Sequence, residues 1–489
     1  MPRVFAVVCA AAIIASCGSS SSADPGGPAA FKLGPAGRVV PRGFLGLSTE
    51  IYSIPSFAGE DPNALNPAFL QLIRNLTPGA RPLIRLGGDS TDWVWWPVPH
   101  TKTPPGIRYT LTPRWIQITK AFVKATHARL ILGIDLEANN LRLASVEAHT
   151  LVSGLGASSI RALEIGNEPE LYGTFGWYTT KRGHQVPGRP RNYSLADFES
   201  QFSSYAKSMP RVPLAGPSTG SPTWISQLGQ FLGTQPKVGI ATVHAYPLKH
   251  CSPTSHVTIG QLLANSSSEG LAAQVAPVVA TAHRHRVPLR IDELGSVTCG
   301  GEPGVSDTYA TALWSLDTLF ALARAGVDGV NIHTPNHSTN QMFTVARVHG
   351  MWEVFVHPNY YGLLMFAQAT PPGSRLVKIS GPSGGGLSTW ATLGTDGTTR
   401  VVVINKSTSR ARAITIRAPA KATNATLQLM RARSITAKTG ITIGGQGFGA
   451  QTSTGQLAGT AQTPTLKQAH HEYSFKLPPA SAALVTISK

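Results

Sequence analysis

The sequence predicts a (β/α)8 TIM barrel followed by an accessory antiparallel β-sandwich domain. Between residues 43 and 370, short apolar runs alternate with amphipathic helical patterns, which is typical of βα units and a parallel sheet. From residue 371 to 489, short alternating or apolar segments are separated by Gly, Ser and Thr, and no long helical pattern occurs. A chain of 489 residues, 42% of them hydrophobic, is long enough for both domains.

Eight apolar runs account for the strands of the predicted barrel. They cover residues 43–50, 82–88, 128–136, 162–168, 212–217, 239–246, 288–295 and 326–334. Helical patterns lie between them, most clearly at 66–77, 115–128, 194–209, 267–286 and 307–325, with apolar residues three and four positions apart. Eight such repeats imply a closed barrel, whose active site forms at the carboxyl ends of the strands.

Four segments of the sandwich show clear strand patterns, at residues 400–405, 413–416, 426–430 and 483–487. A further strand, within residues 31–42, precedes the barrel and is expected to join the sandwich. Residues 440–463 are rich in Gly, Gln and Thr, so we expect a long loop there.

The first residues resemble an export signal. Arg3 precedes an apolar run, residues 4–15, that is too short to span a bilayer as a mature helix. The run ends in the letters IASC, which are similar to the lipobox of bacterial lipoproteins. We therefore predict a signal at residues 1–17, lipidation of Cys17 and a flexible tether at 18–30; an ordinary signal peptide is the alternative. Both interpretations place the protein outside the cytoplasm, either anchored to a membrane as a cell-envelope lipoprotein or secreted.

Two later cysteines, Cys251 and Cys299, form an even pair, which favours a disulfide in an oxidising compartment. A metal site is the alternative, because His244, His250 and His256 lie near Cys251 in the sequence. No paired Cys-x-x-Cys or His-x-x-x-His spacing accompanies them, so we predict no metal and no organic cofactor.

Positive charge is concentrated in the last quarter of the chain. The formal net charge is +18, and residues 371–489 contain 14 Lys and Arg against two acids, which gives 14 − 2 = +12. A basic surface attracts polyanions such as acidic polysaccharides. No nucleic-acid-binding motif accompanies the charge, so no nucleic-acid partner is predicted, and a basic extracytoplasmic protein without a polyanionic partner is the alternative.

Polar side chains end seven of the eight predicted strands. They are Glu50, Asp89 with Asp92, Asp135, Asn167 with Glu168, His244 with Tyr246, Asp292 with Glu293, and His333. A barrel that only served stability would not need this pattern, because a buried polar group without a partner costs free energy. The mouth of the barrel is therefore predicted to bind and transform a polar ligand.

Two glutamates have the placement that glycoside hydrolysis requires. Glu168 ends the fourth strand and Glu293 the seventh, so they face each other across the mouth of a closed barrel. A retaining glycosidase needs one carboxylic acid to protonate the leaving oxygen and one carboxylate to attack the anomeric carbon, roughly 5–5.5 Å apart. Asn167 precedes Glu168 and is expected to bind a sugar hydroxyl beside the reacting carbon.

The letters LEIGNEP around Glu168, with a glutamate ending the seventh strand, resemble the (β/α)8 retaining glycosidases of clan A. Three further segments, GLSTEI around Glu50, RLGGDSTDW after the second strand and HAY at the end of the sixth, are similar to glycoside hydrolase family 79, the β-glucuronidases and heparanases. That family builds its β-sandwich from an N-terminal strand and the C-terminal segment. The resemblance covers about residues 31–489.

The resemblance implies a role for each matching position. Glu168 matches the acid/base and Glu293 the nucleophile. The implied substrate-binding residues are Asn167, Glu50, Asp89, Asp92, Tyr246, Gly300, Gly301 and His333. Gly300 and Gly301 match a loop whose backbone N–H groups hold the uronate carboxylate. Thr298 stands where the family often has a tyrosine, and the run 331–337 lacks the aromatic residue that the family usually has after the eighth strand; His333 is a candidate because it ends that strand. The Cys251–Cys299 disulfide would brace this glycine loop.

These observations predict a retaining, exo-acting β-glucuronidase that cleaves uronate-containing glycans through a glucuronyl–Glu293 intermediate. The alternatives within the same chemistry are an endo-acting heparanase-like enzyme and a clan-related glycosidase for a neutral sugar. Outside enzymology, the alternatives are a carbohydrate-binding surface lipoprotein and an adhesin whose basic sandwich binds polyanions.

Overall fold

The computed structural model describes residues 28–252, 254–382, 384–419 and 421–488. The predicted lipobox with Cys17, and the predicted tether up to residue 27, lie outside these residues. Among the helices of the described segments, none is long and apolar enough to cross a membrane.

Eight parallel strands close into a barrel, as the sequence predicts. In chain order they are Leu45–Glu50, Leu83–Gly87, Arg129–Ile134, Ile160–Ile165, Leu214–Thr219, Val238–Ala245, Leu289–Leu294 and Gly329–His333, and the last pairs with the first. They are almost entirely buried, because helices cover the outside and side chains fill the lumen. We call them the first to eighth barrel strands.

The helices are Ser53–Ala58, Pro67–Leu76, Pro113–Thr126, Leu141–Leu155, Leu195–Ser208, Pro222–Ser226, Leu228–Thr234, Ile259–Leu263, Glu269–Arg284, Tyr309–Ala325 and Pro358–Ala369. Polar side chains fix several starts, as where Asn66 accepts hydrogen bonds from the next helix's first N–H groups. The sequence pattern missed two long helices. Pro358–Ala369 is buried on nearly all sides and lacks an amphipathic period, and Leu141–Leu155 carries the buried Glu147 on its core face.

Short two-stranded sheets occur in the loops of the barrel. They pair Val94–Trp95 with Tyr109–Thr110, Tyr178–Thr179 with Gln185–Val186, and Phe343–Val348 with Met351–Val356. Single 3-10 turns occur at Gly88–Asp92, Ala157–Ser159, Pro169–Leu171 and Asn265–Ser267. Two of these turns, Gly88–Asp92 and Pro169–Leu171, directly follow the second and fourth barrel strands at the mouth of the barrel.

The second domain is one ten-stranded sheet whose two halves share a core. Its strands are Ala29–Val39, Arg375–Ser380, Leu387–Leu393, Thr399–Asn405, Arg412–Arg417, Asn424–Arg431, Thr442–Ile443, Gln468–Ala469, Glu472–Leu477 and Ser481–Ser488. Ala29–Val39 pairs antiparallel with Arg375–Ser380 on one side and parallel with Arg412–Arg417 on the other. The sheet therefore departs from a purely antiparallel sandwich at this one pair of strands.

The barrel lumen is layered along its axis. Ile131, Ala162, Ala215 and Ile240 form an apolar cluster that is separate from the main core between strands and helices. The side chains of alternate strand residues point into the lumen. On the third to sixth strands, the next inward-pointing residue is therefore two positions later and nearer the mouth. All four residues lie in the amino-terminal halves of their strands, away from the mouth of the barrel.

Candidate active site

A buried arginine lies at the centre of the mouth of the barrel. Arg85, on the second strand, donates from Nη1 to Oε2 of Glu293 at 2.7 Å and from Nε to Oε1 of Glu164 at 2.7 Å. Its Nη2 donates to Oδ1 of Asn167 at 2.8 Å. Burial alone would lower the pKa of Arg85, but Glu164, Asp292 and Glu293 outweigh it and raise that pKa well above its ordinary value. Arg85 is therefore a fixed cation that orients both an anion and an amide.

Glu293 ends the seventh strand and is held as a carboxylate. Tyr246 donates to its Oε1 at 2.9 Å, and Nδ1 of His333 lies 3.8 Å from its Oε2. Burial would raise the pKa of Glu293, but the charges of His333, His244 and Arg85 and the Tyr246 hydrogen bond lower it well below its ordinary range. An ionised carboxylate with a fixed orientation is what a nucleophile at this position needs.

Glu168 follows the fourth strand and is the more open of the two glutamates. Its side chain is 26% exposed, against 11% for that of Glu293. The backbone is left-handed, with φ 45° and ψ 53°, and its N–H donates to the carbonyl of Ser218 at 2.9 Å. Non-glycine residues in this conformation are held by their surroundings, often at functional sites. Its greater exposure suits contact with a departing group that must leave to solvent.

His244 connects the two glutamates. Its Nδ1 lies 2.9 Å from Oε1 of Glu168, and its Nε2 lies 3.1 Å from Oγ of Ser218 and 3.4 Å from Nη2 of Arg85. Burial would lower the pKa of His244, but Glu293, the hydrogen bond to Glu168 and Asp292 raise it to about 10. An imidazolium donates from both nitrogens, so His244 links Glu168 to the group around Arg85 and Glu293.

A second pair of acids lies below the nucleophile. Glu164 is fully buried, as is Asp292. Burial would raise the pKa of Glu164, but Arg85 and a hydrogen bond from Asp292 lower it, whereas burial and Glu164 raise the pKa of Asp292 well above its ordinary value. Of this pair, Glu164 is therefore the stronger acid and Asp292 is the member that holds a proton more readily.

Glu50, Asp89 and His333 line the cleft beside the nucleophile. Glu50 accepts from the N–H of Ser90 at 2.8 Å through Oε2, and its Oε1 lies 3.6 Å from Nε2 of His333. His333 also meets Oγ of Ser48 at 3.0 Å. The side chain of Asp89 is open to the cleft, yet desolvation by the surrounding protein and the charges of nearby carboxylates raise its pKa to about 7. These three side chains can bind sugar hydroxyls.

Asp92, predicted to bind substrate, has a structural role instead. Its Oδ1 accepts from the backbone N–H groups of Leu136 at 2.9 Å and Glu137 at 3.1 Å. Its Oδ2 accepts from the hydroxyl of Tyr172 at 2.7 Å and the N–H of Asn167 at 3.2 Å. Both oxygens are thus used by protein donors, and Asp92 fixes the backbone that carries Asn167.

The predicted disulfide between Cys251 and Cys299 is present, with Cα atoms 5.3 Å apart. Gly300 and Gly301 follow it directly, with φ of 86° and 98°. The N–H of Gly301 donates to the carbonyl of Thr298 at 3.2 Å, so it closes a turn. Of the two predicted carboxylate-binding N–H groups, only that of Gly300 has no acceptor within the described part of the chain.

The disulfide loop also brings His250 and His256 next to Glu302, with their ligand atoms within 4.8 Å of one another. His250 already pairs with Glu302 at 2.7 Å, and His256 is an exposed residue. His244, which lies near these histidines in the sequence, belongs to the catalytic network instead. The expectation that the protein needs no metal stays a prediction.

Sequence reasoning assigned no function to Arg85, Ser48 and Ser218. Arg85 pairs with Glu164 and Glu293. The available signal was an arginine in the middle of a buried strand, which must have a carboxylate partner in the lumen. Glu164, two strands away and equally unexpected in a buried strand, was the matching signal.

Solved structures of glycosidases share the fold of this chain. The fold covers 94% of this chain and all of a 4-O-α-L-rhamnosyl-β-D-glucuronidase from Fusarium oxysporum, with a TM-score of 0.69 and 17% identity. A family 51 arabinofuranosidase from Xanthomonas axonopodis is similar over 94% of this chain and all of that chain, with a TM-score of 0.65 and 13% identity. The fold is thus that of the (β/α)8 glycosidases with a β-domain.

The sequence comparisons confirm the resemblance to one family within this class. Residues 389–484 match the glycosyl hydrolase family 79 C-terminal beta domain. The "Beta-glucuronidase" of Neurospora crassa is 24% identical over 340 residues, which is 59% of this chain and 56% of that protein. Human "Inactive heparanase-2" is 26% identical over 228 residues, 45% of this chain and 35% of that protein. The chain aligns with little more than half the length of the first of these relatives.

Proposed function

We propose that this protein is a retaining glycoside hydrolase that removes β-linked glucuronic acid from glycans or glycoconjugates by double displacement. The observation that carries the proposal is the different surroundings of two glutamates at the mouth of one barrel. Glu293 is buried, ionised and held by Arg85 and Tyr246, whereas Glu168 is more exposed and its carboxyl lies at hydrogen-bond distance from His244. Glu293 is therefore placed to attack the anomeric carbon, and Glu168 is placed on the side of the leaving group.

The reaction follows from this placement. Glu168 acts as the acid and passes a proton to the glycosidic oxygen while Glu293 attacks the anomeric carbon, giving a glycosyl–Glu293 ester and a free aglycone. The Glu168 carboxylate then takes a proton from a water molecule whose oxygen bonds to the anomeric carbon as the bond to Glu293 breaks, which releases the sugar with its original configuration. Arg85 and Tyr246 keep the Glu293 carboxylate oriented before attack and stabilise it again when it leaves.

The decisive test uses 4-nitrophenyl β-D-glucuronide with the wild-type protein, Glu168→Gln, Glu293→Gln and the exposed control Glu60→Gln. We expect turnover by the wild type and the control, and a loss of roughly 10³-fold or more in both site variants. Normal turnover by Glu293→Gln would refute the assignment. Because one relative carries a name marking it as inactive, absence of turnover by the wild type would favour the carbohydrate-binding alternative.

Azide separates the two roles. Azide added to Glu168→Ala should restore release of nitrophenol and give a β-glycosyl azide, because azide replaces water at the glycosyl–enzyme intermediate. Azide added to Glu293→Ala should give the α-glycosyl azide, because it attacks directly from the face that the nucleophile occupied. The reverse pattern would exchange the two assignments.

A neutral-sugar glycosidase is the second candidate, and the carboxylates of the cleft favour it. Glu50, Asp89 and Glu293 surround the position of the reacting sugar, and the pKa of Asp89 is raised to about 7. A further carboxylate from a uronate would be repelled there unless His333 and the N–H of Gly300 offset it. A parallel assay with β-glucoside, β-xyloside, β-galactoside and α-L-arabinofuranoside distinguishes the candidates, because only one class should be turned over efficiently.

We also propose that the protein is exported and anchored through a lipid on Cys17. The Cys251–Cys299 disulfide supports the extracytoplasmic part of this proposal, because such bonds persist in oxidising compartments. Labelled palmitate should be incorporated into the wild-type protein and not into Cys17→Ser, which should move from the membrane fraction to the soluble fraction. Equal labelling of both would exclude Cys17 as the anchor.

A further inference from the structure

A second charged cavity lies at the opposite end of the barrel, where the strands begin. Its volume is about 870 Å³. We call it the basic basin and define it by six residues: Arg42, Arg81, His127, Arg129, Arg161 and Arg290. Among the described residues that line this cavity, Asp328 is the single acid.

Asp328 does not balance these arginines, because other groups already bind its carboxylate. Its Oδ1 accepts from Nη2 of Arg38 at 3.0 Å, and its Oδ2 lies 2.6 Å from Nε2 of His283. The N–H of Leu289 also donates to Oδ2 at 2.9 Å. Arg38 and His283 lie outside the lining of the basin, so the basin keeps a strong excess of positive charge.

The deepest arginines of the basin contact no carboxylate. Arg290 donates to the carbonyls of Gly43 at 3.2 Å and Val330 at 3.3 Å, and to the side chain of Asn331. Arg129 donates from Nη2 to the carbonyl of Ile160 at 3.2 Å, but its Nε is buried without a hydrogen-bond partner. A buried, unpartnered guanidinium N–H is costly unless a ligand or water satisfies it.

Arg161 is the least satisfied group of the basin. It has no hydrogen bond or ion pair with any residue of the described segments. The register of the third and fourth strands moves from Leu130–Ile160 to Ile131–Ala162, so Arg161 is an extra residue at this bulge and its side chain lines the basin. Burial and the neighbouring charge of Arg129 lower the pKa of Arg161, as expected where like charges are held together.

We propose that the basic basin is a binding site for a tetrahedral oxyanion, sulfate or phosphate, held between Arg129, Arg161 and Arg290. Planar guanidinium groups bind such anions through paired hydrogen bonds, and an anion would remove the repulsion among the three arginines. Among the described residues, those that line the basin include none of the groups bonded to Glu168 or Glu293. The site is therefore distinct from the proposed active site, and the proposal does not rest on the proposed function.

The volume of the basin exceeds that of a single ion, so the anion can come from two sources. It is either the free inorganic ion or the ester group of a sulfated or phosphorylated glycan whose sugar fills the remaining space. The described residues that line the basin include no Phe, Tyr or Trp on which a sugar can stack, so the ester group itself must supply most of the binding energy. A carboxylate-only oligosaccharide, with its smaller charge, should bind more weakly.

The test is calorimetric titration of the full chain with sodium sulfate, sodium phosphate and a sulfated disaccharide at constant ionic strength. We expect saturable binding with a stoichiometry of one, and a rise in the unfolding temperature that saturates with the anion. A rise that grows linearly with sulfate and shows no binding heat would instead be the general salting-out effect, and would overturn the proposal. Tighter binding of the disaccharide than of sulfate identifies the glycan source, and equal or weaker binding identifies the free ion; both require the site.

Arg161→Gln is the informative variant, because the side chain has no partner whose loss would unfold the protein. It should weaken sulfate binding at least tenfold, and Arg129→Gln should do the same. The matched control Arg284→Gln removes an equal charge from an exposed arginine that donates a hydrogen bond to Thr281 and does not line the basin, and its affinity should be unchanged. Equal sulfate affinity in Arg161→Gln and wild type would refute the site, whatever the hydrolytic activity of either protein.

Discussion

The two ends of the barrel lumen both contain a buried arginine on a strand, but with opposite surroundings. At the mouth, Arg85 contacts Glu164 and Glu293 and is a fixed cation. At the amino end, Arg290 contacts carbonyls and an amide, and burial lowers its pKa. A buried cation that is paired with a carboxylate stabilises the ionised form of that carboxylate. A buried cation without a counter-charge remains available to bind an anionic ligand. The difference explains why the same residue type has a catalytic environment at one end and an anion-binding environment at the other.

The largest effect is expected from removing the cation at the mouth. Arg85→Met leaves Glu164 and Glu293 without their counter-charge, so kcat/KM should fall by roughly 10²–10³-fold and unfolding should become easier by about 3–5 kcal/mol. The pKa of Glu293 should rise, which moves the acidic limb of the pH–rate profile to higher pH. Steady-state kinetics from pH 3 to 8 and urea unfolding measure both.

Two further variants test whether the arginines at the two ends of the barrel act independently. Arg85→Lys keeps the charge but not the planar fork, so it should retain more stability than activity. Arg161→Met makes a change of the same kind at the other end and should leave kcat/KM unaltered. A loss of activity in Arg161→Met as large as that in Arg85→Met would show that the two ends are not independent.

Removing the disulfide should lower the stability of the chain and weaken substrate binding at the mouth, but leave anion binding at the basin intact. Cys251 and Cys299 are 48 residues apart, and closing a loop of that length contributes about 4 kcal/mol in the chain-entropy model. The double variant Cys251→Ser/Cys299→Ser should unfold at lower urea and show a higher KM, because the loop with Gly300 loses its brace. Sulfate binding at the basic basin should persist, and its parallel loss would contradict the separation of the two sites.

The stability of the mouth should fall at alkaline pH. The pKa of His244 rises from its ordinary 6.5 to about 10 in the folded protein, so its contribution is complete below pH 6.5 and is lost as pH rises through 10. Between pH 7 and pH 10 we expect a loss of roughly 3–4 kcal/mol in the free energy of unfolding. Urea unfolding of the wild type and of His244→Gln at a series of pH values measures this loss. If the free energy of unfolding depended on pH equally in both proteins, His244 would not be the cause.

The smallest effect is expected at the basin. Arg161→Gln removes a like charge from beside Arg129, and in the absence of sulfate it should raise the free energy of unfolding by up to about 0.5 kcal/mol. Added sulfate should reverse the order, since only the wild type gains binding energy. Chemical unfolding of both proteins at low salt, with and without sulfate, measures this reversal in the order of stability. If the variant were less stable than the wild type without sulfate, Arg161 would stabilise the folded protein itself.

The barrel could be predicted because parallel buried strands are continuous apolar runs, and all eight appear where the sequence has them. The helix Pro358–Ala369 could not, because a segment buried all round has no amphipathic period. The same limit applies to the site. Glu168 and Glu293 stand at strand ends in a familiar pattern, whereas the roles of Arg85 and Asp92 depend on partners from other strands. Asp92 resembles a ligand-binding residue in the sequence, and only its four protein donors reveal its structural role.

The strand Ala29–Val39 has a consequence for how the molecule is assembled. It is made before the barrel, yet both its neighbours, Arg375–Ser380 and Arg412–Arg417, are made after it. During vectorial synthesis this strand must wait, with its edges unpaired, until the whole barrel has emerged. The sheet of the β-domain can therefore be completed only after the residues of the barrel have been made. A fragment starting after the barrel would lack the strand that joins its two halves, so the domain and the barrel are not separable modules.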